Sequence, residues 1–231
     1  MRTLGLIGGM SWESTAVYYR LLNEFARERL GGLHSAELLL WSFDFAGIES
    51  LQAAGDWDAA AARMVDAARR LERAGAQGLL ICTNTMHRLA PAIEAEVAVP
   101  LVHIADATAA AVNASPSRRP ALLATRYTME QDFYKGRLRD RHGVDAVVPD
   151  EAGRALVHRI IYDELCRGVV RDESRDACLA LLQRMEAEQG IDGVILGCTE
   201  VGLLLGAGDT RLPVFDTTEI HARAAMDFAL G

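Results

Sequence analysis

The sequence predicts an α/β protein built as two pseudo-symmetric lobes, each a mainly parallel sheet flanked by helices, with the active site in the cleft between them. Three observations carry that expectation. Short apolar runs alternate with longer amphipathic stretches along all 231 residues, the pattern of βαβ units. One linker-like stretch, residues 113–120, rich in Ser, Pro and Arg, divides the chain. The halves on either side of it repeat each other, since Gly8 to Cys82 and Ala124 to Cys198 are both separated by 74 positions.

In chain order, apolar runs at 4–7, 37–42, 78–81, 101–103, 121–124, 146–148, 194–196 and 214–215 read as strands. Helical spacing appears between them at 12–30, 57–74, 128–141, 151–166 and 173–189. The first half opens with a strand, Gly8-Gly9-Met10-Ser11 and a helix; the second opens with a strand, Ala124-Thr125-Arg126-Tyr127 and a helix. Gly75-Ala-Gln-Gly-Leu-Leu-Ile-Cys-Thr in the first half parallels Gly190-Ile-Asp-Gly-Val-Ile-Leu-Gly-Cys-Thr in the second. Runs following Pro100 and Pro213 come next in each half and are read as crossings between lobes. The C-terminal helix then packs on the first lobe. The expected lobes are 1–101 with 213–231, and 102–212.

Half of the residues are hydrophobic, enough for a sizeable core. A net charge of −8 argues against nucleic acid as a partner. No uninterrupted apolar run approaches a membrane span, and the N-terminus has no signal-peptide pattern, so a cytoplasmic location without membrane attachment is expected. Four cysteines at 82, 166, 178 and 198 are then free thiols. No CxxC pair occurs, so no metal site is expected. Lys135 is the only lysine, leaving one candidate for the Schiff base that pyridoxal phosphate requires.

The chemistry concentrates in Cys82-Thr83-Asn84-Thr85 and Cys198-Thr199-Glu200. Each cysteine follows an apolar strand and precedes an expected helix start. A helix N-terminus would favour the thiolate, and the following hydroxyl, amide and backbone N–H groups suit a substrate carboxylate. Two thiols facing one carbon suit racemisation, because one abstracts a proton while the other returns one to the opposite face. A lone cysteine at a strand end is usually a small buried residue; two at matching places in a repeat, each followed by Thr, point to catalysis. Cys166 and Cys178 lack that context and read as structural.

These motifs, together with Gly5-Leu-Ile-Gly-Gly-Met-Ser-Trp-Glu-Ser-Thr, Asp44-Phe45, Gln52 through Gly55-Asp56-Trp57, and Gly197-Cys-Thr-Glu-Val-Gly, resemble the aspartate/glutamate racemase superfamily, in its aspartate racemase branch. The resemblance covers essentially the whole chain. It implies Cys82 and Cys198 as the acid–base pair, no cofactor, and an amino acid such as aspartate or glutamate as substrate. By motif position it implies substrate contacts from Met10, Gln52, Thr83, Asn84, Thr85, Thr125 and Thr199. Homodimers are common in that family, but no stripe in the sequence marks an interface. Cell-wall glutamate racemases usually carry Asp-Ser-Gly after the first strand and His after the second Cys-Thr, where this chain has Gly8-Gly9-Met10 and Glu200. Phe45 and Cys166 stand where some aspartate racemases carry Arg and Lys, which leaves acceptance of a shorter or neutral side chain open.

Glu200 either tunes Cys198, raising its pKa by repulsion, or binds a substrate amino group, or stabilises a helix start. His87 either poises Cys82 or fills a surface or helix-packing place, the latter favoured. Asp44 either serves the cleft or caps the next segment. Trp12, Trp41 and Trp57 read as packing residues. His34, His103, His142, His158 and His221 show no ligand spacing. Hydantoin racemase, maleate isomerase or decarboxylase activity on the same scaffold, or a non-catalytic amino-acid-binding module, are the competing readings.

Overall fold

The computed structural model describes residues 1–231. The chain forms two compact units, Met1–His103 with His221–Gly231, and Ile104–Ile220.

The first unit runs β1 (Leu4–Gly8), α1 (Trp12–Leu30), β2 (Leu38–Ser42), α2 (Phe45–Ala54), α3 (Trp57–Arg73) and β3 (Gly78–Ile81). A 3₁₀ turn (Thr85–Leu89) and α4 (Ala90–Glu94) follow. Its sheet has the order β2-β1-β3, all parallel, extended by a single parallel bridge from Leu79 to Leu101. The second unit runs α5 (Ile104–Asn113), β4 (Pro120–Leu123), α6 (Arg126–Glu130), α7 (Asp132–His142), α8 (Glu151–Asp163), α9 (Asp172–Gln189), β5 (Gly193–Leu196), a 3₁₀ turn (Val201–Leu203) and β6 (Val214–Asp216). Its order is β4-β5-β6, parallel, with a parallel bridge from Ala121 to Val147 on the other edge. Helix α10 (Thr217–Leu230) begins in the second unit and ends in the first.

Counting the bridges, each unit has four parallel positions visited in one order: centre, one edge, second centre, other edge. That duplicates a doubly wound half-sheet. The chain reverses direction of travel between β1 and β3, and again between β4 and β5. In such sheets ligands gather beyond the carboxyl ends of the strands at that reversal. Cys82 lies at the end of β3 and Cys198 just beyond the end of β5.

The central strands are buried along their length, as parallel strands covered by helices on both faces must be. Helix α1 buries Ser14, Thr15, Tyr18, Leu22, Phe25 and Ala26, a stripe at helical spacing. Ser11 Oγ caps its start by accepting from Ser14 N–H at 3.4 Å. On the other side of the fold, Ala222, Ala225, Met226 and Ala229 of α10 join Leu4, Leu6, Tyr18 and Leu22 in one apolar cluster. The second unit has its own core, centred on Leu122, Leu123, Ile160, Leu181, Ile195 and Phe215.

Three expectations change. The helix expected over 128–141 is broken: Gln131 is extended (φ −86, ψ 152) and separates α6 from α7. No glycine or proline marks the break, so local pattern could not reveal it. Trp12 is 68% exposed, so it is not a packing residue, whereas Trp41 and Trp57 lie against the first core. The 74-residue repeat is not in register. Ile7 pairs with Ile81 and Leu123 with Leu196. Cys82 N–H donates to Ile7 O at 2.9 Å, and Gly197 N–H, not Cys198, makes the matching bond to Leu123 O at 2.8 Å. Cys198 therefore sits one residue farther from its strand than Cys82 does.

Candidate active site

In the first unit the site residues come from the ends of β1 and β3 and from α2. Gly9 makes the sharp exit from β1 with φ +78, and a Cβ there would lie 2.3 Å from Phe43 O and 2.4 Å from Phe43 N. Only glycine tolerates both the backbone conformation and the close approach of the chain leaving β2. Thr15 Oγ1 accepts from Gly9 N–H and donates to Ser11 O, both at 2.8 Å, tying this turn to α1. A cis peptide joins Met10 and Ser11. Met10 is buried with Ile7, Ile48, Met64 and Met86. Gln52, buried on α2, donates from Nε2 to Met86 Sδ at 3.0 Å. Met10 and Gln52 are thus brought beside the segment that follows Cys82. Within that segment Asn84 and Thr85 are buried, Thr83 is half-buried, and the Cys82 side chain is fully enclosed.

Asp44, read from sequence as either a cleft residue or a cap, is the N-cap of α2; its Oδ1 accepts from Ala46 N–H at 3.3 Å. Gly55, left-handed at φ 71, closes the same helix. The sequence carries both signals, Asp44 and Gly55, but the helix between them is not among those expected from apolar spacing.

In the second unit Thr125 follows β4 and caps α6, its Oγ1 accepting from Thr128 N–H at 3.4 Å. Gly197 spaces Cys198 from β5. A Cβ there would stand 2.5 Å from Leu122 Cδ1 and 3.1 Å from Ala124 Cβ, so a larger residue at this bend requires Leu122 and its neighbour to move. Cys198, Thr199 and Glu200 are all buried. One carboxylate oxygen organises them: Glu200 Oε2 accepts from Cys198 Sγ at 3.0 Å and from Thr199 Oγ1 at 2.7 Å.

The electrostatics reverse the expectation of ready-made thiolates. Burial pushes the Cys82 thiol far above its ordinary range. The Cys198 thiol is also pushed well up, first by burial, then by the Glu200 carboxylate and by Cys166. A desolvated sulfur disfavours charge. The elements that follow the cysteines are short 3₁₀ turns without side-chain caps, which supply little of a full helix dipole to oppose that. Cys166, expected from sequence to be structural, adds to the rise of the Cys198 pKa; it sits in a 3₁₀ turn, Leu165–Arg167, after α8. Only the folded chain brings those two positions near each other. Cys178 is buried in the second core, its pKa pushed up to about 11 by burial.

Of the two places favoured for His87, the structure gives packing rather than surface. The residue is 2% exposed, with Nδ1 2.8 Å from Thr83 O. No group of three or more His, Cys, Asp or Glu side chains is arranged to hold a metal ion. No helix is long and apolar enough to cross a membrane.

The family model described as Asp/Glu/Hydantoin racemase matches residues 7–225. A curated broad specificity amino-acid racemase of Bacillus subtilis (strain 168) is 20% identical over 228 residues, covering 96% of each chain. Among solved structures, a Yersinia pestis protein provisionally assigned as an Asp/Glu racemase is 53% identical, with TM-score 0.92 and 100% of both chains covered. An aspartate racemase homologue from Pyrococcus horikoshii OT3 is 35% identical, with TM-score 0.87 and the same coverage. Sequence and fold agree over the full length: the chain belongs to the Asp/Glu/hydantoin racemase family, in its aspartate racemase branch.

Proposed function

We propose that this racemase-family chain interconverts the L and D enantiomers of aspartate, glutamate or related amino acids without a cofactor, with Cys82 and Cys198 as the two acid–base groups. The observation that carries this reading is topological. Each cysteine lies past a central strand where its own sheet reverses direction, the place where parallel sheets bind ligands. The duplicated fold thus supplies one thiol per half.

In the proposed reaction Glu200 Oε2 takes the Cys198 proton across the 3.0 Å contact, leaving a thiolate and a neutral carboxyl. The thiolate removes the substrate Cα proton, and the Cys82 thiol delivers its own proton to the opposite face. In the reverse direction Cys82 abstracts and Cys198 donates. The raised thiol pKa values fit this chemistry: a desolvated thiolate is costly to form, but it is a stronger base toward a weakly acidic C–H. Thr83, Asn84, Thr85, Thr125 and Thr199 are assigned to holding the substrate's carboxylate and ammonium groups. Met10 and Gln52 are assigned to its side-chain end. Phe45 packs against the apolar first core and brings no positive charge there, which supports acceptance of more than acidic side chains.

The test is a chiral assay of purified, reduced protein in D₂O on L- and D-amino acids without pyridoxal phosphate. Racemisation with deuterium entering Cα is expected, and Cys82→Ser and Cys198→Ser should each lower it by at least about 10²-fold in folded protein. Full activity in either variant rejects the two-thiol mechanism. Release of carbon dioxide, or turnover of hydantoins alone, would move the reading to another activity of the same scaffold.

A further inference from the structure

The first unit contains a buried aromatic and imidazole cluster that the proton transfer above does not use. The His87 ring lies 4.6 Å from that of His103 and 5.7 Å from that of His221, and Tyr18 packs edge-on to His221 at 5.6 Å. All four side chains are at most 5% exposed.

The protons on two of these rings follow from their partners. A carbonyl oxygen only accepts, so His221 Nε2, 2.7 Å from Val102 O, carries a hydrogen. Burial holds the His221 pKa down to about 4, so the ring is neutral near pH 7 and its Nδ1 is a lone pair. The Tyr18 hydroxyl, 2.7 Å away, therefore donates to it. By the same rule His87 carries its hydrogen on Nδ1 and donates to Thr83 O at 2.8 Å.

That last bond reaches the peptide beside the proposed acid–base thiol. Cys82 N–H donates to Ile7 O at 2.9 Å. Ser14 Oγ shares its one hydrogen between Ser11 O at 3.1 Å and Cys82 O at 3.4 Å, and His87 holds the next carbonyl. Because peptide units are planar and stiff, three successive planes are anchored, and with them the direction in which the Cα–Cβ bond carries the sulfur. His87 is itself braced through the cluster by α1 (Tyr18), the chain after Leu101 (Val102 and His103) and α10 (His221). An apolar side chain would fill the same volume without desolvating an imidazole; what the imidazole adds is the directed N–H.

We propose that His87, backed by His103, His221 and Tyr18, is a positioning residue that aims the Cys82 thiol. The assignment rests on the two-thiol reading above. It is tested with a matched pair of polar variants. In His87→Asn the amide nitrogen falls near the place of Nδ1 and can still donate to Thr83 O. In His87→Gln it falls near the place of Nε2 and cannot. Folding of both is checked by circular dichroism and thermal melting, and kcat and KM are measured in both directions.

His87→Gln should lose about 10- to 100-fold in kcat with KM nearly unchanged, because a displacement of about 1 Å at a reacting group has that effect, while His87→Asn recovers most of the rate. Should His87→Gln fail to fold, Tyr18→Phe, which removes one hydroxyl behind His221, should still lower kcat by about 3-fold at constant KM. Equal kcat in all folded variants, or equal losses in the Asn and Gln variants with KM rising in step, overturns the assignment. An active wild type with an unaffected Gln variant removes this inference alone. A wild type that leaves Cα chirality unchanged removes the two-thiol reading and this inference with it.

Discussion

Replacing Glu200 by Gln separates two effects that the wild-type contact combines. The carboxylate oxygen lies 3.0 Å from Cys198 Sγ. A negative charge at that range opposes ionisation of the thiol by about 5 kcal/mol at an effective dielectric constant near 20, and by about 1 kcal/mol at full water screening. Removing the charge should therefore lower the Cys198 pKa, because burial alone then opposes the thiolate. The shift is read from the pH dependence of Cys198 alkylation by iodoacetamide, resolved by mass spectrometry, in wild type and Glu200→Gln. Racemisation should move the other way. Gln cannot take up the thiol proton, and loss of an acid–base partner typically costs about 10²-fold or more in kcat. A more acidic thiol in a slower enzyme is thus the expected signature. An unchanged alkylation profile refutes the electrostatic coupling. A lower thiol pKa with a rate equal to or above wild type refutes Glu200 as proton acceptor and leaves it as a charge neighbour.

Two further outcomes follow from the fold. For His221, the folded pKa is near 4 against 6.5 for the free side chain, so the unfolded chain binds the proton first. Its contribution to stability is complete above about pH 6.5 and falls away toward pH 4, by about 3 kcal/mol in all. Urea unfolding of wild type should show this loss on acidification, and His221→Gln, which keeps a donor for Val102 O but cannot protonate, should lack that part of the slope; equal slopes contradict it. Gly9→Ala should destabilise the first unit by about 2 kcal/mol or more, since a left-handed conformation is combined with a Cβ 2.3 Å from Phe43 O, and a thermal melt equal to that of wild type would show that the turn relaxes.

Local sequence patterns encode the layered architecture and mark the two Cys-Thr segments proposed as the site. Fully apolar runs such as Leu4–Gly8 and Gly193–Leu196 encode strands buried on both faces, and the helical stripe of Trp12–Leu30 encodes a helix covering one face. Both are short-range periodicities, readable without knowing what lies opposite. Cys-Thr motifs at strand ends were equally legible, because a strand end is a local feature. Tertiary packing sets what depends on distant neighbours. Strand pairing set the one-residue offset of Cys198 from the repeat. Packing from both sides removed water from the two thiols and pushed their pKa values up, where a helix start read in isolation suggested the opposite. Helices α1 and α10, far apart in sequence, enclosed His87 and fixed its proton toward Thr83. Periodicity is a property of neighbours along the chain, whereas desolvation, register and proton placement are properties of neighbours in space.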